Sequence, residues 1–241
     1  MTHPEMPIRK LTHTTEPVGA ITDQILDRNA VLLLANKGEP VMLVGCELDE
    51  VDLSDMILNG WVFDQCLFRK AKFVSAKLDG AQFISCKGAH ADFTSADLAE
   101  SCFTACDFNN SKFRGATVSQ AQFRRCKLTG ANFNDAKALD VLFEETRLND
   151  AKLRNFTFNK QTLKSLDLTN AELQRCDFRG VTFEDCSLRD AVLTDARFEG
   201  ADLRGTDIGG VRLEDARRFK GATISRAQAA ELLSELGLHV R

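Results

Sequence analysis

Cysteine and histidine are the residues here with the most chemistry to offer. The chain holds eight and four of them in 241 residues. Cys46, Cys66, Cys86, Cys106 and Cys126 recur at every twentieth position, and Cys186 falls on the same series. A metal site, a set of disulfides and a packing column would each use such a ladder differently. Cys86/His90 and Cys102/Cys106 offer only paired ligands, without the doubled C-x-x-C spacing of zinc sites. Thiols stacked with parallel side-chain vectors meet disulfide geometry poorly. Free cysteine behaves as a small, readily buried hydrophobe, so the column, with Cys176 in a like slot, reads as packing, and Cys102 as the accessible exception. His3, His13 and His239 lie near the termini. The chain has no glycine-rich phosphate loop and no Ser or Cys in a nucleophile context. No catalytic residue, metal ligand or cofactor site is predicted, and the chain reads as a non-enzyme.

The elements that carry these residues follow an unusual period. In "CLFRKAKFVSAKLDGAQF" (66–83) the large apolar residues Phe68, Phe73, Leu78 and Phe83 recur at every fifth position. A helix advances about 100° per residue, so five residues overshoot a turn by about 140°. In a strand, residues five apart point to opposite faces. Cut in fives from Val41, the chain runs through 35 consecutive pentapeptides to Asp215 without a slip. Their third position is Leu 16 times and Phe 15 times, which takes 15 of the 17 phenylalanines. The first position is mostly small, and the second, fourth and fifth carry nearly all the charge. All four prolines precede the frame.

A second ladder, Phe63, Phe83, Phe103, Phe123 and Phe143, also recurs at every twentieth position, which is four pentapeptides. A chain turning about 90° per pentapeptide closes a square every four repeats and stacks like on like. Gly, Asp or Asn fills the fifth position in 20 of the 35 repeats. These residues tolerate the positive φ that tight turns need. The expected fold is all-β, a four-sided solenoid.

The repeats ADLAE, ADLRG and ANFND resemble the A(D/N)LXX motif of the pentapeptide repeat proteins. The resemblance covers residues 41–215 and implies a right-handed quadrilateral β-helix with the third residue inward and the small first residue beside it. The 35 repeats make about nine coils, a rod ~40 Å long at ~4.8 Å per coil. Such a stack exposes its core and its backbone edges at both ends, so caps are expected. Three segments follow: a tail and cap at 1–40, the solenoid at 41–215, and a capping or dimerisation helix at 216–241.

Residues 1–17 are polar and hold three of the prolines, a loose tail. From Thr22, "TDQILDRNAVLLLANKG" carries an N-cap candidate, apolar Ile25, Leu26, Leu32 and Leu33, and a stop at Asn36–Gly38. It reads as a capping helix, with a β segment at Val31–Leu34 as the alternative. At the other end Ser225 and Gln228 form a capping box ahead of a helix over 226–236. Its stripe of Ala229, Leu232, Leu233 and Leu236 either seals the last coil or makes a homodimer contact. The pattern LLxxLGL is similar to the C-terminal helix of Qnr-like and MfpA-like pentapeptide proteins, which implies dimerisation there.

The surface is left to carry function. Residues 41–215 hold 28 acids and 22 bases. "CELDEVDLSD" places Glu47, Asp49, Glu50, Asp52 and Asp55 at the N-terminal end of the rod. Arg69, Lys70, Lys72 and Lys77 form a basic band, with further basic stretches at 123–127 and 217–220. These nine named residues are the candidate partner-binding surface of a polarised rod.

The Qnr/MfpA resemblance implies a protein partner, DNA gyrase or topoisomerase IV, engaged as a DNA mimic that protects against topoisomerase poisons. B-DNA carries one charge per ~1.7 Å, so a ~40 Å mimic of both strands would need ~24 negative charges, against a net −6 within the frame. The mimicry is therefore expected to be partial. The uninterrupted frame also departs from Qnr proteins, whose projecting loops contribute to protection. A general interaction scaffold with an unrelated partner is the alternative. Direct nucleic-acid binding and a membrane partner are not expected from the mild charge. The longest apolar run, Ala30–Ala35, is too short to span a bilayer. The N-terminus lacks the apolar stretch of a signal peptide, and sparse cysteines suit a reducing cytoplasm. Gly88 and Ala138 leave central slots underfilled, whereas Trp61, Phe156, Gln161 and Leu166 overfill small ones. A bend, a bulge or a ligand-sized irregularity would fit there, and packing compensation is the favoured reading.

Overall fold

The computed structural model describes residues 19–211, 217–234 and 237–239. The chain winds as a parallel β-solenoid of about nine turns. Its first face is a nine-stranded parallel sheet. Strand β1 (Ala20–Thr22) pairs with β2 (Met42–Val44), and one strand per coil follows from β3 (Val62–Asp64) to β9 (Thr182–Glu184). The other three faces are held mostly by single parallel bridges, such as Leu67↔Lys87, Lys72↔Asp92 and Lys77↔Asp97, with one two-residue pairing of Cys186–Ser187 with Thr206–Asp207. From β2 to β9 the partners keep the same place in successive coils, so each residue type sits above its own kind.

The third position of each repeat points inward. Phe63, Phe83, Phe103, Phe123 and Phe143 stack face to face at 4.5–5.1 Å between ring centroids. On the opposite face Phe73, Phe93, Phe113 and Phe133 stack at 4.5–4.9 Å. The two columns meet edge to face across the core, as Phe83 and Phe93 do at 6.0 Å and 89°. Offset stacks and T-shaped pairs are the arrangements the ring quadrupole favours. The corners obey position more than residue type. Every fifth residue from Gly45 to Gly210, Gly205 excepted, has φ between +49° and +79°. Most of them are not glycine, so the stacked neighbours impose the left-handed turn.

The ladder reaches beyond the pentapeptide frame at both ends. At the N-terminus Ile21 lies opposite Leu43, where an unshifted register would bring position 41. Leu26 N–H donates to the Glu47 carbonyl at 3.0 Å. Helix α1 (Arg28–Ala35) then lies over the open end. Its N-cap is Asp27, whose carboxylate accepts from Ala30 N–H at 2.8 Å; Thr22 ends β1. Val31 and Leu26 are the buried side chains here, whereas Ile25 and Leu33 are 83% and 69% exposed. Ile25 takes an outward second slot opposite Glu47, a place that apolar spacing alone did not reveal. The helical reading of this stretch holds over the β alternative at Val31–Leu34.

At the C-terminus Phe219 stacks on Phe198 at 4.7 Å, and Asp202 bridges Thr223 where the frame would bring position 222. A single insertion thus hides a further part of the stack from the frame. Residues 212–215, which complete the frame, lie outside the described residues, as does the tail at 1–17. Helix α2 (Arg226–Ser234) closes this end.

The irregular slots behave in two ways. Phe108 enters the space above Gly88, while Trp61 and Leu166 are accommodated in the core. Ala138 and Phe156 interrupt the stack: among the described residues no backbone hydrogen bond joins 136–140 to 156–160. Nearby, β7 (Leu142–Glu144) and β8 (Thr162–Lys164) share one residue pair. The Gln161 side-chain oxygen beside them is buried without a partner among the described residues.

Candidate functional site

Stacking each coil squarely on the last decides what the charged stretches become. "CELDEVDLSD" lies directly against "CLFRKAKFVS" one coil on, so acids meet bases. Arg69 N–H donates to Asp49 Oδ1 at 2.7 Å and its Nε to Oδ2 at 3.0 Å. Lys70 Nζ reaches Glu50 Oε1 at 3.2 Å. Asp52 is flanked by Lys72 at 3.9 Å and Arg28 at 3.6 Å. Hydrogen bonds from Ser54, then Lys72 and Arg28, hold the Asp52 carboxyl below the usual carboxylate range. Lys77 pairs outside the group, with Asp97 at 3.6 Å. Glu47 and Asp55 form no ion pair among the described residues. The predicted acidic end and basic band are therefore one interleaved surface, largely neutral at short range. Exposed pairs of this kind contribute about 0–1 kcal/mol each, and they present paired rather than bare charge to a partner.

The same ladder logic runs along the rod. Lys112–Asp92, Lys127–Asp107, Arg124–Glu144 and Lys164–Glu184 are further pairs one coil apart. Asp177–Arg179 and Asp202–Arg204 instead join second and fourth positions of one repeat, each as a forked contact. Over 41–210 no face of the rod carries a net charge beyond −2.

The cysteine column is a hydrogen-bond ladder. Each thiol donates to a third-position carbonyl of the coil before: Cys66 to Leu43, Cys86 to Phe63, Cys106 to Phe83, and Cys126 to Phe103, at 3.2–3.4 Å. Thr146 takes the next slot, and its hydroxyl donates to the Phe123 carbonyl at 3.0 Å. Burial pushes the Cys86 thiol far above its ordinary value and Cys176 up to about 12. Cys86 faces inward, away from a joint site with His90. Cys102 alone among the cysteines is partly exposed. Among the described residues no three His, Cys, Asp or Glu side chains group as metal ligands, and no helix is long and apolar enough to cross a membrane.

At the C-terminal end the capping box forms. Gln228 N–H donates to Ser225 Oγ at 3.2 Å, and Ser225 N–H donates to Gln228 Oε1 at 2.6 Å. The Gln228 amide also donates to the Leu203 and Thr206 carbonyls at 2.8 and 2.6 Å. Gln228 is thus the buried anchor of α2, a role that the apolar stripe did not indicate. Of the predicted stripe, Leu232 packs on the core, Ala229 is half-buried and Leu233 is 37% exposed. Leu236 lies outside the described residues.

Fold and surface together define a class: a capped parallel β-solenoid whose inward slots are structural and whose outward slots are free to vary. Family models for the "Pentapeptide repeat region" match residues 80–153 and 137–213, and one for "Pentapeptide repeats (8 copies)" matches 46–83. The chain belongs to the pentapeptide repeat proteins, the quadrilateral β-helix family. Among solved structures it is similar to trypsin-treated QnrB1, a plasmid-mediated fluoroquinolone resistance protein. That match has 22% identity and TM-score 0.71, covering 83% of this chain and 99% of the other. Full-length QnrB1 gives 21% identity and TM-score 0.52 over 91% and 97%. HetL, involved in heterocyst differentiation regulation in the cyanobacterium Nostoc sp. strain PCC 7120, gives 20% and 0.65 over 82% and 94%. A search of curated proteins finds no matching sequence.

Proposed function

We propose that this chain is a non-catalytic protein-binding rod that engages a type II topoisomerase such as DNA gyrase by partial DNA mimicry, protecting it from topoisomerase poisons. The observation that carries the reading is the end-to-end likeness to QnrB1, whose trypsin-treated form is covered over 99% of its length. The small net charge of every face limits the mimicry to local acids such as Glu47 and Asp55, which are unpaired among the described residues. A supercoiling assay with purified gyrase, with and without a fluoroquinolone, tests this: the chain is expected to alter supercoiling and relieve poisoning. No effect at micromolar concentration would overturn it and favour the second reading, a scaffold for an unrelated partner. The likeness to HetL, a regulatory protein, supports that alternative.

The rod works as a homodimer through α2, with Leu233 of the predicted stripe as its exposed apolar contact. Light scattering on the parent and on Leu233→Asp decides: a dimer should fall to a monomer, and a parent that is already monomeric removes the interface. The setting is the cytoplasm, in keeping with eight free thiols.

A further inference from the structure

The stack opens at one corner. In regular coils the fifth residue donates its N–H to the fourth-position carbonyl of the next coil, as Gly115 does to Asn134 and Asn155 to Gln174, both at 3.0 Å. Between these two, Asp135 N–H and the Arg154 carbonyl lack this bond, and the gap continues along 136–140. The cause is local. Ala138 underfills its central slot, while Phe156 and Phe158 put two rings in the repeat stacked on it, with Phe156 wedged 6.0 Å from Phe133. At the opened corner lies a groove of about 320 Å³, lined by Arg114, Arg154, Arg175 and Asp135 together with Asn132, Asn134 and Asn155.

Three observations describe what would fill it. The repeats 111–115, 131–135, 151–155 and 171–175 carry five cations (Lys112, Arg114, Lys152, Arg154, Arg175) against Asp135 and Glu172, net +3 on a chain of net −4. Arg175 forms no ion pair among the described residues, Arg114 meets Asp135 at 3.3 Å with both side chains about two-thirds exposed, and Arg154 shares Glu172 with Lys152. Asn134 Oδ1 is buried without a hydrogen-bond partner among the described residues. The groove thus offers guanidinium donors together with the Asp135 N–H and the Arg154 carbonyl, both left without their ladder bond. A phosphodiester strand has acceptors but no backbone donors, so it meets only half of this. A peptide has both.

The geometry points to a binding site for an extended acidic peptide segment of a partner protein. Its main chain pairs with Asp135 N–H and the Arg154 carbonyl, as a strand added to an open edge does. Its outward-facing carboxylates lie between Arg114 on one side of the opening and Arg154 and Arg175 on the other. One small anion would reach only part of that spread, since Arg114 and Arg154 stand two coils, ~10 Å, apart. The site holds for any partner and does not depend on the topoisomerase reading.

Fluorescence anisotropy on the full chain tests it with labelled Glu-Ser-Glu-Ser-Glu-Ser-Glu, its Lys-Ser counterpart and an oligothymidine of equal length. The acidic peptide should bind saturably and the Lys-Ser peptide should not. Arg154→Ala and Arg175→Ala should each weaken binding about tenfold, the worth of one charge-assisted bond, with Arg147→Ala, exposed on another face, unchanged. These side chains are exposed enough that melting curves should match the parent. Filling the slot and removing the wedge together (Ala138→Leu with Phe156→Ala) should close the corner and abolish binding while the protein still melts cooperatively. Absent saturable binding, binding indifferent to Arg154→Ala and Arg175→Ala, or equally tight oligothymidine binding would overturn the proposal.

Discussion

Gly88 and Phe108 share one core site. A Cβ built on Gly88 would lie 2.2 Å from Phe108 Cε1, because the ring one coil on leans into the space that the missing side chain leaves. The consensus slot is occupied after all, by the neighbour's residue. Restoring a side chain at position 88 should therefore destabilise the rod. Gly88→Ala is expected to cost about 1–3 kcal/mol as overpacking, and Gly88→Leu more. Combined with Phe108→Leu, the penalty should largely vanish. Urea unfolding across the double-mutant cycle measures the coupling, and additive effects would mean that the two residues do not compete.

The thiol ladder gives a chemical prediction. In the folded protein iodoacetamide should modify Cys102 alone, and the remaining cysteines only after denaturation, as mass spectrometry would show. Cys106→Thr should cost no more than about 1 kcal/mol, because Thr146 already fills the equivalent slot with a hydroxyl bonded to the same kind of carbonyl.

Gln228 joins the helix cap to the last coil. Gln228→Ala leaves the Leu203 and Thr206 carbonyls without their amide donor and removes half of the capping box. The expected loss is about 1–3 kcal/mol, concentrated at the C-terminal end. Hydrogen exchange should quicken around 201–211 while the amides near Phe83 and Phe103 keep their protection.

Acid should loosen the rod in a defined window. The forked contact with Arg179 lowers the Asp177 carboxyl to about 2, and Asp202 is lowered in the same way by Arg204. A carboxylate with a depressed folded value stabilises above its unfolded value, about 3.9, and that contribution is lost as pH falls toward the folded one. The melting midpoint should drop between about pH 4 and pH 2, and Asp177→Asn should flatten part of the drop. An unchanged slope in the variant would mean that the pair contributes nothing to folding.

How much was legible varies by feature. The inward columns were, because a five-residue period with large apolar residues in one slot admits few backbones. The C-terminal cap was partly legible: Ser225 and Gln228 announce a helix start, but nothing local reveals that the Gln228 amide reaches back a full coil to the Leu203 and Thr206 carbonyls. The ends of the stack were hidden by insertions that shift the register, setting Leu43 on Ile21 and Thr223 on Asp202. Arg114, Arg154 and Arg175 were overlooked because they are scattered in the chain, although Arg114 and Arg154, fourth-position residues two coils apart, were there to be read.

By itself the sequence determined the repeat, its four faces and which side chains turn inward, since burial of one residue in five is dictated by composition and spacing. Only the tertiary structure decided what the charges do. Asp49 and Arg69 are distant in the chain yet bonded across adjacent coils, so an acidic stretch and a basic stretch become one paired surface. Tertiary packing likewise decided that Ala138 and Phe156 part the coils whereas Gly88 and Phe108 do not. The reason is geometric: a neighbouring ring enters the slot at Gly88, whereas Phe156 puts a ring in a slot that takes a small residue, beside the central slot that Ala138 underfills.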